Sequence, residues 1–376
     1  MKAEFQIYGA AESTGESPDT PHAHPLQEDA MPSGAVSTLS AEQSTFLAAD
    51  VGGTHARIGL VAFRAGQNIP TVLAYRVYKC AEYAGLDAIL RAFCDSFAVR
   101  PRRLALACAG FLLEGRVVNN NLLWPVVPAD LKHSAGLDDV EVLNDFEALA
   151  YGTAYLDADN VHLLHRPASH GTAGKEPAAS RGPVVIVGPG TGLGVAVRLP
   201  DAQPKVLATE AGHIQLAARV GREQQVLGEL APADTHVPYD YILSGPGLLR
   251  LYQAVCRLEK VSPELQDPAA ITAAACAGTN AQALETLQLF CGWLGSYTGD
   301  LAMLYGATGG VYLAGGFLSR ITDFMARSRF IERFLDKGVV RPFQQTVPVY
   351  VVDHAQLAVI GAASWLMDRP PSRVQP

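Results

Sequence analysis

The stretch TFLAADVGGTHARIGLVAF, residues 45–63, returns in altered form as PVVIVGPGTGLGVAV, residues 183–197. Each copy runs from an apolar segment through a glycine-threonine turn into a second apolar segment, and setting Thr54 on Thr191 also aligns the flanking runs. A strand-turn-strand unit that occurs twice implies two related halves, and a chain of 376 residues suits two domains better than one. Between and after the two units, short β-rich runs alternate with longer amphipathic ones, which predicts an α/β protein.

The runs can be placed in order. TVLAYRVYKC extends the first meander, LDAILRAFCDSF puts Leu86, Ile89, Leu90 and Phe93 at helical spacing, and RLALACAG and VEVLND read as strands. Asn144 opens a helix, NDFEALAYGTAYL, with Phe146, Leu149 and Ala150 on its inner face. Further on, GPGLLRLYQAVCRL and NAQALETLQLFCGWLGSYTGDLAMLYGA are helical, GGVYLAGGF and VPVYVVD are strands, and AQLAVIGAASWLM is a closing helix. Gly292, Gly295 and Gly299 form a smooth strip that suits close helix packing. The expected layout is a smaller N-terminal α/β domain over 45–150 and a larger one over 151–354, with helix 355–368 packing back on the first. Residues 1–44 have the Ser-, Pro- and Gly-rich composition of a disordered extension, and 165–182 that of a mobile loop.

Composition removes several classes of function. Acidic residues outnumber basic ones 37 to 29, without any Lys/Arg block, so neither nucleic acid nor an anionic membrane is an expected partner. No apolar run reaches the roughly eighteen residues of a membrane span, and the N-terminus lacks a secretory signal pattern, so the expectation is a cytoplasmic protein. The six cysteines form no C-x-x-C pair, and most lie in apolar runs as core thiols.

Three glycine turns follow apolar strands: Gly52-Gly53-Thr54, Gly188 to Gly194, and Gly315-Gly316. Glycine lets backbone N–H groups approach phosphate oxygens, and a threonine hydroxyl adds a donor, so together the turns describe a polyphosphate cradle. Any one alone is equally well a hairpin turn. The second turn lacks the Lys-Ser/Thr of a P-loop, and its glycines do not have G-x-G-x-x-G spacing. Asp50, at a strand end beside the first turn, is placed to hold Mg²⁺ directly or through water. Asn144-Asp145 reads either as a helix cap or as a carboxylate that accepts a hydroxyl proton while a phosphoryl group arrives. Glu210 and His213, three apart around a glycine, offer an acceptor and a donor/acceptor suited to a polyol. As a metal pair they would need a further ligand.

Read in order, ADVGGTHARIGL, LNDFEALAYG, VGPGTGLGVA, EAGHIQLA, YILSGPGLLRLY and GGVYLAGGF resemble the bacterial glucokinase family, from Phe46 to about Trp365. The resemblance implies a two-domain actin-like (ribonuclease H-like) sugar-kinase fold that closes an inter-domain cleft over glucose and ATP·Mg²⁺, and a glycolytic glucokinase activity. Ala49, Asp50, Val51, Gly52, Gly53 and Thr54 match its first phosphate motif. Gly190, Thr191 and Gly192 match the second, and Gly315 and Gly316 the adenosine motif. Asp145 matches the catalytic base for the glucose 6-hydroxyl; Asn121, Asn144, Asp145, Glu210 and His213 match sugar contacts.

Asp240 stands where the family commonly has a sugar-contacting glutamate and is expected to contact the sugar as well, Leu122 replaces a histidine after Asn121, and His55 replaces an asparagine. The related repressor/kinase group carries a cysteine-rich zinc motif after its Glu-Gly-His segment, whereas no cysteine lies between His213 and Cys256 here. Two alternatives stay open: a kinase for mannose or an amino sugar, and a non-catalytic sugar sensor. A homodimer is compatible with the sequence without being indicated by it.

Overall fold

The most apolar strands should lie at the centre of parallel sheets, covered on both faces. In the computed structural model, which describes residues 43–64, 69–118, 122, 124–167, 182–201, 205–367 and 369, they do. Most of the N-terminal extension, most of the 165–182 segment, and Asn121 lie outside the described residues.

The first sheet contains β1 (Gln43–Val51), β2 (His55–Arg64), β3 (Thr71–Lys79), β4 (Arg103–Cys108) and β7 (Asp139–Asn144), in the order β3-β2-β1-β4-β7. β5 (Phe111–Leu113) and β6 (Arg116–Val118) form a separate hairpin. The second sheet contains β8 (Val161–His165), β9 (Val184–Pro189), β10 (Leu193–Leu199), β11 (Lys205–Thr209), β12 (Gly310–Leu313) and β13 (Val349–Val352), ordered β11-β10-β9-β12-β13-β8. In each sheet the first three strands pair antiparallel and the next two join in parallel. The repeat read in the sequence is therefore a repeat of topology, with β8 added antiparallel at one edge.

The helices are α1 (Leu86–Phe97), α2 (Pro128–Ala135), α3 (Asp145–Gly152), α4 (Arg222–Leu230), α5 (Gly245–Leu258), α6 (Pro268–Ala277), α7 (Ala281–Tyr305), α8 (Gly316–Ser319), α9 (Thr322–Arg327), α10 (Phe330–Leu335), α11 (Arg341–Gln344) and α12 (Leu357–Met367). Strand alternation sorts the core into layers. Leu47, Ala49 and Val51 of β1 face one way, into a cluster with Ile89 and Phe93 of α1. Phe46 and Ala48 face the other way, toward Val359 and Ala362 of α12. The closing helix α12 packs on β1, β2 and β4 of the first sheet. It approaches where there are no side chains: a Cβ on Gly59 would stand 2.7 Å from Val359 Cγ1, and one on Gly152 2.6 Å from the Leu357 carbonyl oxygen.

On the second sheet, Val185, Val187, Val195 and Leu313 face α5, α7 and α10. Ile186 and Ala196 face the other way, toward Ala150 and Phe146 of α3. α3 thus contacts strands of both sheets. Its buried residues are Ala148, Ala150 and Gly152, while Phe146 and Leu149 are only half-buried, because the helix serves two surfaces and has no single inner face. The glycine strip of α7 is a packing surface, as expected: a Cβ on Gly295 would lie 2.2 Å from the Phe330 carbonyl oxygen of α10. Four of the six cysteines are buried.

Candidate active site

Parallel pairing brings three strand ends level, with Val51 beside Cys108 and Cys108 beside Asn144. One residue before its strand end, Asp50 lies opposite Arg57 across the β1–β2 hairpin, and Arg57 Nη1 donates to Asp50 Oδ2 at 3.0 Å. The sequence reading missed Arg57, although the hairpin register itself pairs the two. Burial pushes the Asp50 carboxyl up, and Arg57 opposes that shift.

The first turn is closed by Gly52 N–H donating to the His55 carbonyl at 3.0 Å. Cys80 N–H donates to the Thr54 carbonyl at 2.9 Å. Gly52 therefore spends on the hairpin the N–H group that a phosphate cradle would have used. Gly53 is half-buried and Thr54 exposed.

Asn144 is an N-cap in fact: its Oδ1 accepts from Phe146 N–H at 2.9 Å and Glu147 N–H at 3.3 Å. Its Nδ2 donates to the Gly110 carbonyl at 3.3 Å. The Glu147 side chain accepts from the Asn144 backbone N–H, which completes a capping box. That signal, Asn followed three residues later by Glu, was present in the sequence and went unread. The cap reading and the catalytic reading are compatible, because the cap is Asn144 and it leaves Asp145 at the first position of α3. Burial, followed by the charge of Asp50, pushes the Asp145 carboxyl from 3.8 up to about 6, with Glu210 adding to the rise. The Cys108 thiol is pushed up to about 12 by burial and by the same two aspartates.

The second turn is closed more tightly than the first, with Gly190 N–H donating to the Gly192 carbonyl at 2.7 Å. Its Gly190 and Thr191 are exposed. Gly315 has φ 115°, which favours glycine, and a Cβ there would lie 3.0 Å from the Pro189 carbonyl oxygen, so the third turn rests against the second hairpin. Gly316 opens α8 with open space where its Cβ would be. Asp240 lies at this hairpin too: its Oδ1 accepts from Leu193 N–H at 2.6 Å.

A cleft of about 310 Å³ lies between the two sheets, lined by Cys108, Asn144 and Glu147 from one side and by Ala208, Thr209 and Glu210 from the other. Exposed Glu210 precedes the short turn Ala211–His213. His213 is exposed as well, its carbonyl accepts from the His236 ring at 3.1 Å, and neither it nor Asp145 is among the residues lining this cleft. The structure thus gathers Asp50, Asp145, Cys108 and Glu210 within electrostatic reach, and the turns of both hairpins lie at the sheet ends flanking them.

A family model described as Glucokinase matches residues 47–369. The chain belongs to the glucokinase family. A glucokinase-like protein of Xylella fastidiosa (strain 9a5c) is 43% identical over 328 residues, covering 86% of this chain and 95% of the relative. A glucokinase of Agrobacterium fabrum is 39% identical over 324 residues, covering 85% and 91%. The crystal structure of a glucokinase from an Antarctic psychrotroph superposes with a TM-score of 0.74 at 34% identity, covering 88% of this chain and all of that one. Membership makes the chain a hexose kinase of the actin-like two-domain sugar-kinase fold, with ATP as the family's cosubstrate. Among the described residues no helix is long and apolar enough to cross a membrane.

Mg²⁺ fits the donor set in one form only. Among the described residues no group of three His, Cys, Asp or Glu side chains could cage a metal, whereas Asp50, whose Oδ2 is held by Arg57, offers a single carboxylate to an ion arriving with phosphates.

Proposed function

We propose that this hexose kinase is a glucokinase that transfers the terminal phosphoryl group of ATP to the 6-hydroxyl of D-glucose. The observation that carries the reading is the place of Asp145, first residue of α3, on a helix that contacts strands of both sheets, where burial and the charge of Asp50 push its carboxyl up to about 6. It is ionised at neutral pH and more basic than a free aspartate, which suits it to take the hydroxyl proton as the phosphoryl group transfers. Thr54 and Gly53 on one hairpin and Thr191 and Gly192 on the other bind the phosphates, with Gly315 and Gly316 beside the adenosine. Magnesium arriving with the nucleotide would neutralise phosphate charge, and Asp50 would hold it. Glu210 and His213 orient the sugar, and Asn144 fixes Asp145 by capping its helix.

Transfer through a loose transition state depends mainly on positioning and charge neutralisation. Closure of 45–150 on 151–354 would also exclude water as a competing acceptor. A matrix of sugars against phosphoryl donors, read as ADP release, tests the assignment. Glucose with ATP should be the preferred pair. Sugar-independent ADP release, or preference for mannose or an amino sugar, would replace it. Asp145→Asn should lower kcat by about 10² to 10⁴ while leaving glucose binding measurable.

A further inference from the structure

The side chain of Asp240 points at the nucleotide hairpin. Asp240 lies in the short turn Tyr239–Tyr241, and its Oδ1 accepts at 2.6 Å from the N–H of Leu193, the residue that follows Gly190-Thr191-Gly192. The approach requires glycine on the hairpin side, since a Cβ on Gly192 would stand 2.7 Å from that oxygen. Five residues later, Gly245 N–H donates to the Gly190 carbonyl at 2.8 Å. One segment, residues 240–245, therefore grips the turn at both ends.

The grip has a rigid base. Tyr239 is 3% exposed, its ring centroid lies 4.3 Å from that of Tyr297 in α7, and its N–H donates to the Ile214 carbonyl at 3.0 Å. Ile214 directly follows His213, so the backbone beside Asp240 is tied to the loop proposed to hold the sugar, while its carboxylate is tied to the loop proposed to hold phosphate.

We infer that Asp240 is a positioning residue for the Gly190–Leu193 turn, and that its loss weakens nucleotide rather than sugar. A charged acceptor on a backbone N–H makes a stronger bond than a neutral one, and it fixes the turn that Thr191 presents to the phosphates. The shorter side chain in place of the family's glutamate thereby acquires a function: it ends at the hairpin. The inference rests on the kinase reading and sharpens it.

The test uses the full-length chain. Sugar-dependent ADP release by the parent tests the kinase reading by itself. Asp240→Asn should raise the KM for ATP about tenfold, the usual scale for losing one charge-assisted hydrogen bond. The KM for D-glucose, and glucose affinity measured calorimetrically without nucleotide, should stay within about twofold of the parent by the same arithmetic. Asp240→Ala removes the acceptor without adding bulk, so it should reproduce the nucleotide-selective effect and stands in if Asp240→Asn does not fold. A glucose constant that rises as much as the ATP constant, or no change in either, would overturn the assignment.

Discussion

The ring of Phe146 occupies the space where a side chain on Gly194 would stand: a Cβ built there lies 1.9 Å from the ring. Gly194 pairs with Gly188 across the β9–β10 hairpin, and a Cβ on Gly188 would come 2.7 Å from the same ring. Two facing glycines thus open a slot in the second sheet, and the residue after Asp145 fills it. The helix that carries the proposed base is thereby docked on the hairpin proposed to carry phosphate.

Gly194→Ala should therefore destabilise the fold by about 1 to 3 kcal/mol, since the methyl must displace an aromatic ring rather than a flexible chain end. Denaturant unfolding of Gly194→Ala, Phe146→Ala and the double variant measures the coupling. The double variant should cost less than the two singles together, by on the order of 1 kcal/mol. Additive losses would mean that the slot and the ring do not depend on each other.

The Asp145 carboxyl, raised from 3.8 to about 6, has two consequences of opposite sign. Turnover needs the ionised form, so kcat/KM should fall about tenfold per pH unit below about pH 6. Stability runs the other way: the folded state holds the proton more tightly than the unfolded chain, so this group's contribution is full below 3.8 and is lost as pH rises through about 6. Asp145→Asn should accordingly be more stable than its parent at about pH 7.5, by on the order of 2 kcal/mol, and gain little at about pH 4. Paired thermal melts at the two pH values check this, and an equal gain at both would remove the buried charge as its cause.

Much of this was legible in the sequence, and what was not shares a physical reason. The repeated turn at Thr54 and Thr191 predicted the repeated sheet topology, because an apolar strand that must be buried on both faces leaves a composition that nothing else does. The position of Asp145 at a strand-helix junction could also be read, because capping chemistry is local. Phe146 in the Gly188–Gly194 slot and Asp240 on Leu193 could not be read in the same way, whereas Arg57 on Asp50 followed from the hairpin register. The first two are contacts between segments whose separation periodicity does not encode. The glycine turns were read as donors of N–H groups, yet Gly52 and Gly190 use theirs to close the hairpins. A turn's internal bonding is fixed by its geometry and not by its composition.

The same distinction separates two glycines that look alike on α7. A Cβ on Gly295 would meet the Phe330 carbonyl oxygen at 2.2 Å, whereas the nearest atom to one on Gly292 is Arg333 Nη1 at 3.8 Å, an ordinary contact. Gly292→Ala should be neutral or stabilising by up to about 1 kcal/mol, the helix-propensity difference between the two residues. Gly295→Ala should push α10 off α7 and cost several times that amount. Urea unfolding curves of the two single variants would give the ordering, and equal effects would show that α10 yields without penalty.

A buried ion pair also ties α10 to its neighbours. Arg333 of α10 is 2% exposed; its guanidinium pairs with Glu223 of α4, and its Nε donates to Ser296 Oγ of α7 at 2.8 Å. Removing one partner leaves the other charge buried without its counterion, which typically costs about 3 to 5 kcal/mol, whereas replacing both by apolar groups of similar size is often close to neutral. Arg333→Met alone should therefore unfold at much lower denaturant than Arg333→Met combined with Glu223→Leu. The pair lies on the face of the second sheet opposite α3, so kcat of whichever variant remains folded should match the parent. A double variant no more stable than Arg333→Met would assign the cost to lost packing of the arginine stem and not to the orphaned carboxylate.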